Sequence, residues 1–158
     1  MPKRPWNLPN LPVYSLQTIS KDGVLNFNIC TYVSSVSMKP KRFMVAVYKG
    51  TKTLENLENG SKANLILLSK ENINLVRTFG KKSGKDIDKF SKIKVPTVEF
   101  QNMQVMQNAV AVMNLKTLQT LDAGDHIIYL FDLEKHKTLS GKDILYLSDL
   151  RESKIISV

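Results

Sequence analysis

Hydrophobic and polar positions alternate with a period of two through much of the first half of the chain. Val13–Ile19 is apolar-rich and ends at Ser20-Lys21-Asp22-Gly23, a turn-forming sequence. Through Val24–Ser37, Leu25, Phe27 and Ile29 alternate with Asn26, Asn28 and Cys30. Thr31, Val33 and Ser35 then alternate with Tyr32, Ser34 and Val36. Such alternation with β-branched residues predicts one strand with a buried face, closed by Pro40. Phe43–Tyr48 is apolar on both faces and reads as a central strand. At Thr51–Asn59 the spacing turns helical: threonines stand ready as caps, Leu54 and Leu57 are three apart, and Gly60 supplies a stop. Ala63–Leu68 is a buried strand. Ser69–Phe79 is a second helix with Ser69 as N-cap and Gly80 as its end. Lys81–Lys94 reads as a polar loop with a helical turn around Asp86–Phe90. Three β-rich pieces follow: Val95–Met106, Asn108–Leu115 and His126–Leu133. Leu118–Leu121 with Asp122-Ala123-Gly124-Asp125 connects the last two, and Ile144–Val158 is apolar enough to pack.

Six or seven strands and two short helices, neither regularly interleaved nor segregated, favour a closed antiparallel barrel with helices in its connections. Residues 1–12 hold Pro2, Pro5, Pro9 and Pro12, which makes them an extended arm. Trp6 and Leu8 in that arm are expected to dock on a surface, of this chain or of a second subunit. Residues 13–158 then form a single domain, as the length of 158 suggests.

Composition narrows the classes. At 42 % hydrophobic the chain can build a core. No apolar run approaches the ~20 residues that span a bilayer, and Met1–Trp6 is not followed by an apolar stretch. The lone Cys30 has no partner for an internal disulfide, and one thiol with two histidines makes a structural zinc site a poor expectation. A cytoplasmic protein with no metal and no membrane partner is expected. The net charge is +9, and its location matters more than its size. Residues 39–94 carry 14 basic and 5 acidic side chains, and the remainder is neutral. That surplus is either a solvated lysine-rich face or the footprint of a phosphate-bearing partner, whether nucleotide, nucleic acid or phosphorylated cofactor.

No GxGxxG follows a strand, no GxxxxGK[ST] occurs, and neither histidine lies near a GxSxG elbow. His136, between Lys135 and Lys137, reads as a solvated loop residue. His126 follows Gly124-Asp125 at the mouth of a strand, where a structural and a catalytic role both remain open. The run Asn26–Pro40 places hydroxyls at Thr31, Ser34, Ser35 and Ser37 on one strand and its exit, with Lys39, Lys41, Arg42 and Lys49 near. Small hydroxyls and free backbone N–H groups at a strand end suit a phosphate monoester; a polar edge strand facing water is the alternative. Cys30 is either a small buried thiol or a neighbour of whatever that strand binds.

These motifs resemble the flavin reductase-like family, whose members adopt the FMN-binding split barrel. Thr18, Asp22-Gly23, Asn26 and the hydroxyl run Thr31–Pro40 match its Ser-x-x-Pro-Pro layout, with Lys41 replacing the second proline. Phe43–Tyr48 followed by Lys49-Gly50-Thr51-Lys52-Thr53 matches its strand and K-x-S/T-x-T segment. Asp88-Lys89-Phe90 matches a short D-K-F element, and Gly124-Asp125-His126 matches its GDH strand start. The match runs from about Leu11 to Leu133. It implies a mainly β fold, a six-stranded antiparallel Greek-key split barrel with short helices in the connections, usually a homodimer. It implies FMN, or FAD, as cofactor and NAD(P)H as reductant, with a monooxygenase or other redox protein as partner. Carried over by position, Thr31, Ser34, Ser35, Val36, Ser37, Lys39, Lys49, Thr51 and Thr53 would hold the flavin. His126 would orient the nicotinamide or serve in proton transfer. One departure is Leu130-Phe131-Asp132-Leu133, which lacks the glycine of the family's IGEV-like run. A glycine there would allow close backbone approach, so Phe131 raises a second reading: a flavin-bound electron-transfer protein that does not oxidise NAD(P)H directly. A third reading, a basic barrel that binds nucleic acid, wants exposed aromatics amid the charge. Phe43 and Tyr48 read as buried, so nucleic acid is not the expected partner.

Overall fold

The structure is a computed structural model that describes residues 2–81 and 95–157. β1 (Tyr14–Ile19) and β2 (Leu25–Cys30) form a hairpin in which Tyr14 pairs with Cys30 and Ile19 with Leu25. Its turn closes through Gly23 at φ +83°, where a side chain would be strained. The single strand expected over Val24–Ser37 is broken at Thr31-Tyr32. β2 stays with β1, whereas β3 (Val33–Met38) pairs with β4 (Lys41–Tyr48). With β5 (Ala63–Leu67), β8 (Ala111–Asp122) and β9 (His126–Thr138), these strands make one antiparallel sheet of seven, ordered β2-β1-β5-β8-β9-β4-β3.

That order corrects the closed barrel read from the element pattern and the count of six strands in the split barrel that the resemblance implies. β2 and β3 are consecutive in the chain, yet they are the two opposite edges of the sheet. The Thr31-Tyr32 link spans at most about 10 Å, so the sheet must curl until its edges meet. No ladder joins them among the described residues, because the chain hands over there: Tyr32 O already accepts the N–H of Ala46 at 3.0 Å. The barrel is rolled but split along that seam, and breaking one strand into two supplies the seventh.

The long β8–β9 hairpin is the second correction. Leu118–Leu121, expected as a connection, lies within β8, and His136, expected in a loop, lies exposed within β9. Register shifts at Asn114/Leu115 and Thr117/Gln119 interrupt its pairing, as bulges do where a ribbon bends. Val95–Met106 is a hairpin, β6 (Thr97–Phe100) and β7 (Met103–Met106), not one piece. Its turn residues Gln101 and Asn102 both have positive φ, the geometry a two-residue hairpin turn requires.

The helices follow the sequence more closely. α1 (Lys52–Glu58) is capped by Thr51, whose Oγ1 accepts the Leu54 N–H at 3.2 Å. Ser69 heads a 3-10 turn and α2 (Ile73–Lys81), with Asn72 Oδ1 accepting the Ser69 N–H at 2.9 Å. α2 continues through Gly80, the residue expected to end it. The helical turn expected around Asp86–Phe90 lies outside the described residues. α3 (Leu147–Glu152) buries Leu150. The arm is not uniformly extended: Pro5–Asn7 forms a 3-10 turn. Its backbone is tied down by Arg151 Nη2 donating to Asn7 O and by the Leu147 N–H donating to Leu11 O. Trp6 and Leu8 are nevertheless 68 % and 65 % exposed, so neither docks on this chain.

Two cores lie on the two faces of the sheet, as period-two alternation demands. Inside the barrel, Leu16, Val45, Leu65, Leu115 and Phe131 pack with Leu54 and Leu57 of α1. Outside, Phe27, Ile66 and Val112 pack with Val76 of α2, Val105 of β7 and Leu150 of α3. Between the outer face and the β6–β7 hairpin runs a buried amide row. Asn64 Nδ2 donates to Gln17 Oε1 at 3.0 Å, Asn114 Nδ2 to Asn64 Oδ1 at 2.9 Å, and Gln17 Nε2 to the Gln104 carbonyl at 2.6 Å. Among the described residues no helix is long and apolar enough to cross a membrane.

Candidate functional site

The seam of the split barrel is also where a cleft of about 260 Å³ opens. Asn28 and Cys30 line it from β2, Thr31 and Tyr32 from the link, Ala46 and Tyr48 from β4, and His126 from β9. β4 turns Phe43, Val45 and Val47 inward, so Ala46 and Tyr48 face out. Tyr48 pairs directly with His126 across the ladder. The imidazole therefore sits between two tyrosines, its ring centre 5.1 Å from Tyr48 in an edge-to-face arrangement and 5.3 Å from Tyr32.

The turn that carries His126 is fixed from several sides. His126 Nδ1 lies 2.7 Å from Asp125 Oδ1, and this hydrogen bond holds the Asp125 carboxyl below its usual range. With Nδ1 engaged, Nε2 is the nitrogen left for a ligand. Lys49 Nζ donates to both oxygens of Asp122, at 2.9 and 2.8 Å, and the Lys49 N–H donates to Asp125 O at 3.0 Å. Asp122 also accepts the Gly124 N–H, and Lys49 followed by that N–H lowers its carboxyl pKa. Lys49, expected at a phosphate, is here the tether between the end of β4 and the His126 turn.

The other sequence candidates separate into three groups. Thr31 stands on the cleft wall. Ser34, Ser35 and Lys39 lie exposed along β3 and its exit, with Ser37 half-buried among them, and Ser35 Oγ accepts from Lys41 Nζ. A register shift between Ser35 and Ser37 takes Val36 out of the alternation, into a separate apolar groove with Met44, Leu121, Ile128 and Leu130. Thr51 and Thr53 serve α1 instead: Thr51 caps it, and the buried Thr53 hydroxyl accepts from Asn26 Nδ2 at 3.0 Å. Neither lines the cleft.

Cys30 is half-buried beside the inner core, and burial pushes its thiol up to about 12. It is a neutral thiol at physiological pH, not a nucleophile. Among the described residues no group of three or more His, Cys, Asp or Glu is placed to hold a metal ion. Phe131 does not reach the cleft. It is fully buried inside the barrel, stacked on Tyr129 at 5.6 Å. Sequence reasoning passed over Tyr32 and read Tyr48 as buried, whereas both rings stand exposed on the cleft wall. The signal was present for Tyr48: it sits out of phase with Phe43, Val45 and Val47 and so had to face outward.

Residues 10–152 match the family described as flavin reductase like domain. The chain belongs to the flavin reductase-like family. A curated relative, the high molecular weight rubredoxin of Moorella thermoacetica, is 27 % identical over 114 residues, which are 72 % of this chain and 50 % of the relative. The chain thus spans half the length of that protein. Among solved structures, the styrene monooxygenase flavin reductase of Pseudomonas putida S12 superposes with a TM-score of 0.77 at 18 % identity, covering 88 % of this chain and 86 % of its own. An NADH:FAD oxidoreductase of Streptomyces globisporus C-1027 gives 0.78 at 17 % identity, covering 89 % and 83 %. At these identities the two structures establish the shared fold.

Proposed function

We propose that the chain is an FMN-binding flavin reductase that uses NAD(P)H to reduce flavin. The observation that carries this reading is the cleft at the barrel seam. It joins an aromatic wall and a fixed imidazole to the polar side chains of Asn28 and Thr31, and at Thr31-Tyr32 the chain passes into the hydroxyl-bearing, lysine-flanked β3, surroundings that suit a ring system with a phosphorylated tail. Thr31, Ser34, Ser35, Ser37 and Lys39 would hold ribityl and phosphate, with Lys41 reaching the same edge. Bound flavin supplies the hydride-accepting chemistry itself. The protein's part is binding and orientation: His126, with Nδ1 on Asp125, presents Nε2 to the cleft as the group that positions the nicotinamide amide or handles a proton.

The apolar groove of Val36, Met44, Leu121, Ile128 and Leu130 lies on the same outer face as the cleft. It supports a homodimer formed over that face, checked by light scattering of the purified protein. A monooxygenase or other redox protein would take the reduced flavin, in keeping with the named role of the Pseudomonas reductase. The rubredoxin-named relative supports a second reading, a bound flavin that passes electrons to a protein. With Phe131 turned into the core, nothing about that residue narrows the cleft against nicotinamide.

One measurement tests both. Purified protein loaded with FMN or FAD is titrated anaerobically with NADH and then NADPH while the flavin absorbance is followed. Stoichiometric bleaching within seconds supports the reductase. Bound flavin that bleaches only with a protein donor supports the second reading, and a protein that retains neither flavin defeats both.

A further inference from the structure

Tyr32 and Tyr48 are 57 % and 54 % exposed, and both stand on the wall of a cleft. Neither belongs to a core, and no hydrogen bond holds either phenol among the described residues. Leaving a large aromatic ring in water forgoes the burial that normally justifies it. Two such rings bracketing a third, His126, form a continuous aromatic wall. Three contacts fix it: the Tyr32 carbonyl accepting the Ala46 N–H, the backbone pairing of Tyr48 with His126, and the Asp125 carboxylate on the imidazole. The polar side chains of Asn28, on β2, and Thr31, on the link, line the same cleft. Ala46, with its small side chain, also lines the cleft.

We propose that Tyr32 and Tyr48 are specificity-determining residues of this site, a stacking wall that selects a planar nitrogen heteroaromatic ring. The inference rests on the function proposed above and deepens it. The isoalloxazine of the flavin and the nicotinamide of the reductant share this chemistry. The edge-to-face setting of Tyr48 on His126 leaves the outer face of the Tyr48 ring for the ligand. Tyr32, on the two-residue link between the sheet edges, closes over it. Ring stacking of this kind is worth about 1–3 kcal/mol per ring by alanine substitution, which is roughly 5- to 150-fold in affinity.

The test uses Tyr32→Ala, Tyr48→Ala, Tyr32→Leu, Tyr48→Leu and the two phenylalanine variants, each checked by thermal melting. Both residues are exposed, so the variants should melt close to wild type. One arm measures FMN affinity by quenching of flavin fluorescence. The other measures NAD+ and NADP+ affinity for the FMN-loaded protein by calorimetry, independent of turnover. The alanine and leucine variants should lose at least about fivefold in one arm, which identifies the ring that stacks. Phenylalanine should restore affinity to within about twofold, because the ring and not the hydroxyl acts. A wild-type protein that binds FMN while all alanine and leucine variants match it in both arms overturns the wall and leaves the reductase reading standing. A wild-type protein that binds neither FMN, FAD nor the nucleotides overturns both.

Discussion

Asn64→Ala removes the middle of the buried amide row, and its cost can be worked from the geometry. Asn64 Nδ2 serves Gln17 Oε1 at 3.0 Å and approaches the Phe100 carbonyl at 3.4 Å, while Oδ1 accepts Asn114 Nδ2 at 2.9 Å. All three amide side chains are buried. In the variant, Gln17 Oε1 loses its donor, and Asn114 Nδ2 keeps only a distant Ala63 carbonyl at 3.5 Å. Leaving a buried polar group without a partner costs about 1–3 kcal/mol, so two give about 4 kcal/mol. For a chain of this length each kcal/mol lowers the melting temperature by about 2–4 °C, so the drop should be on the order of 10 °C. Asn59→Ala, at an exposed position, is the control and should change stability by less than about 0.5 kcal/mol.

The same variant should also loosen one element selectively. Gln17 and Asn64 reach the carbonyls of Gln104 and Phe100, which belong to the β6–β7 hairpin. Hydrogen exchange over residues 97–106 should therefore rise before that of β5 or β8. Asn64→Ala with Asn114→Ala should cost less than the sum of the singles, since both singles disturb the same bond. A single variant that loses under about 0.5 kcal/mol, or hairpin amides that exchange as in wild type, would refute the idea that this row holds the hairpin.

Three further outcomes are expected. Cys30 should resist a thiol-specific disulfide reagent at pH 8 in the native protein and react at once in denaturant; its folded pKa of about 12 exceeds the ordinary 9.0, so stability is intact below pH 9 and falls as pH rises toward 12, by up to about 4 kcal/mol, and Cys30→Ala should flatten that alkaline limb in urea titrations. Asp122→Asn should remove part of the acid limb, because a carboxyl lowered by Lys49 adds stability that is full above its ordinary pKa and lost as pH falls through the depressed one; an unchanged acid profile would mean that the tether carries nothing. Phe131→Leu should cost about 1–2 kcal/mol through lost packing on Tyr129 yet leave FMN affinity unchanged, since that ring faces the inner core; weaker FMN binding in a folded variant would place it at the ligand after all.

Local chemistry was legible where local chemistry decides the outcome. Thr51 caps α1 and Ser69 caps the turn into α2 because a hydroxyl three residues ahead of an unsatisfied N–H needs no tertiary context. The break at Thr31-Tyr32 was not legible, because the alternation runs through it without a slip. Only the competition between β1 and β4 for one long strand ends β2 and starts β3. The Val95–Met106 hairpin was hidden for a different reason: Gln101-Asn102 adopts a turn that usually announces itself with glycine. Of the candidate site, Thr31 and His126 line the cleft, whereas Thr53 lies buried away from it. Its hydroxyl could serve a ligand or a neighbouring strand, and Asn26 across the fold claims it.

The seam explains why the cleft lies where it does. A sheet whose two edges are joined by two residues cannot separate them, yet the joining residues need their own backbone partners and cannot complete a ladder. The result is a gap beside the link, between unpaired strand edges and the outer face of β4 and β9. Tyr32 lies on the link between strands and Tyr48 at the end of β4, where each ring meets His126 on one side and solvent on the other, so both stay exposed. The same break that raises the strand count from six to seven therefore opens the cleft. Moving it along the chain, by inserting one residue between Thr31 and Tyr32, would flip the facing of β3 against β4. An insertion variant that folds should lose FMN binding while keeping the inner core of Leu16, Leu65 and Leu115, none of which lies on β3.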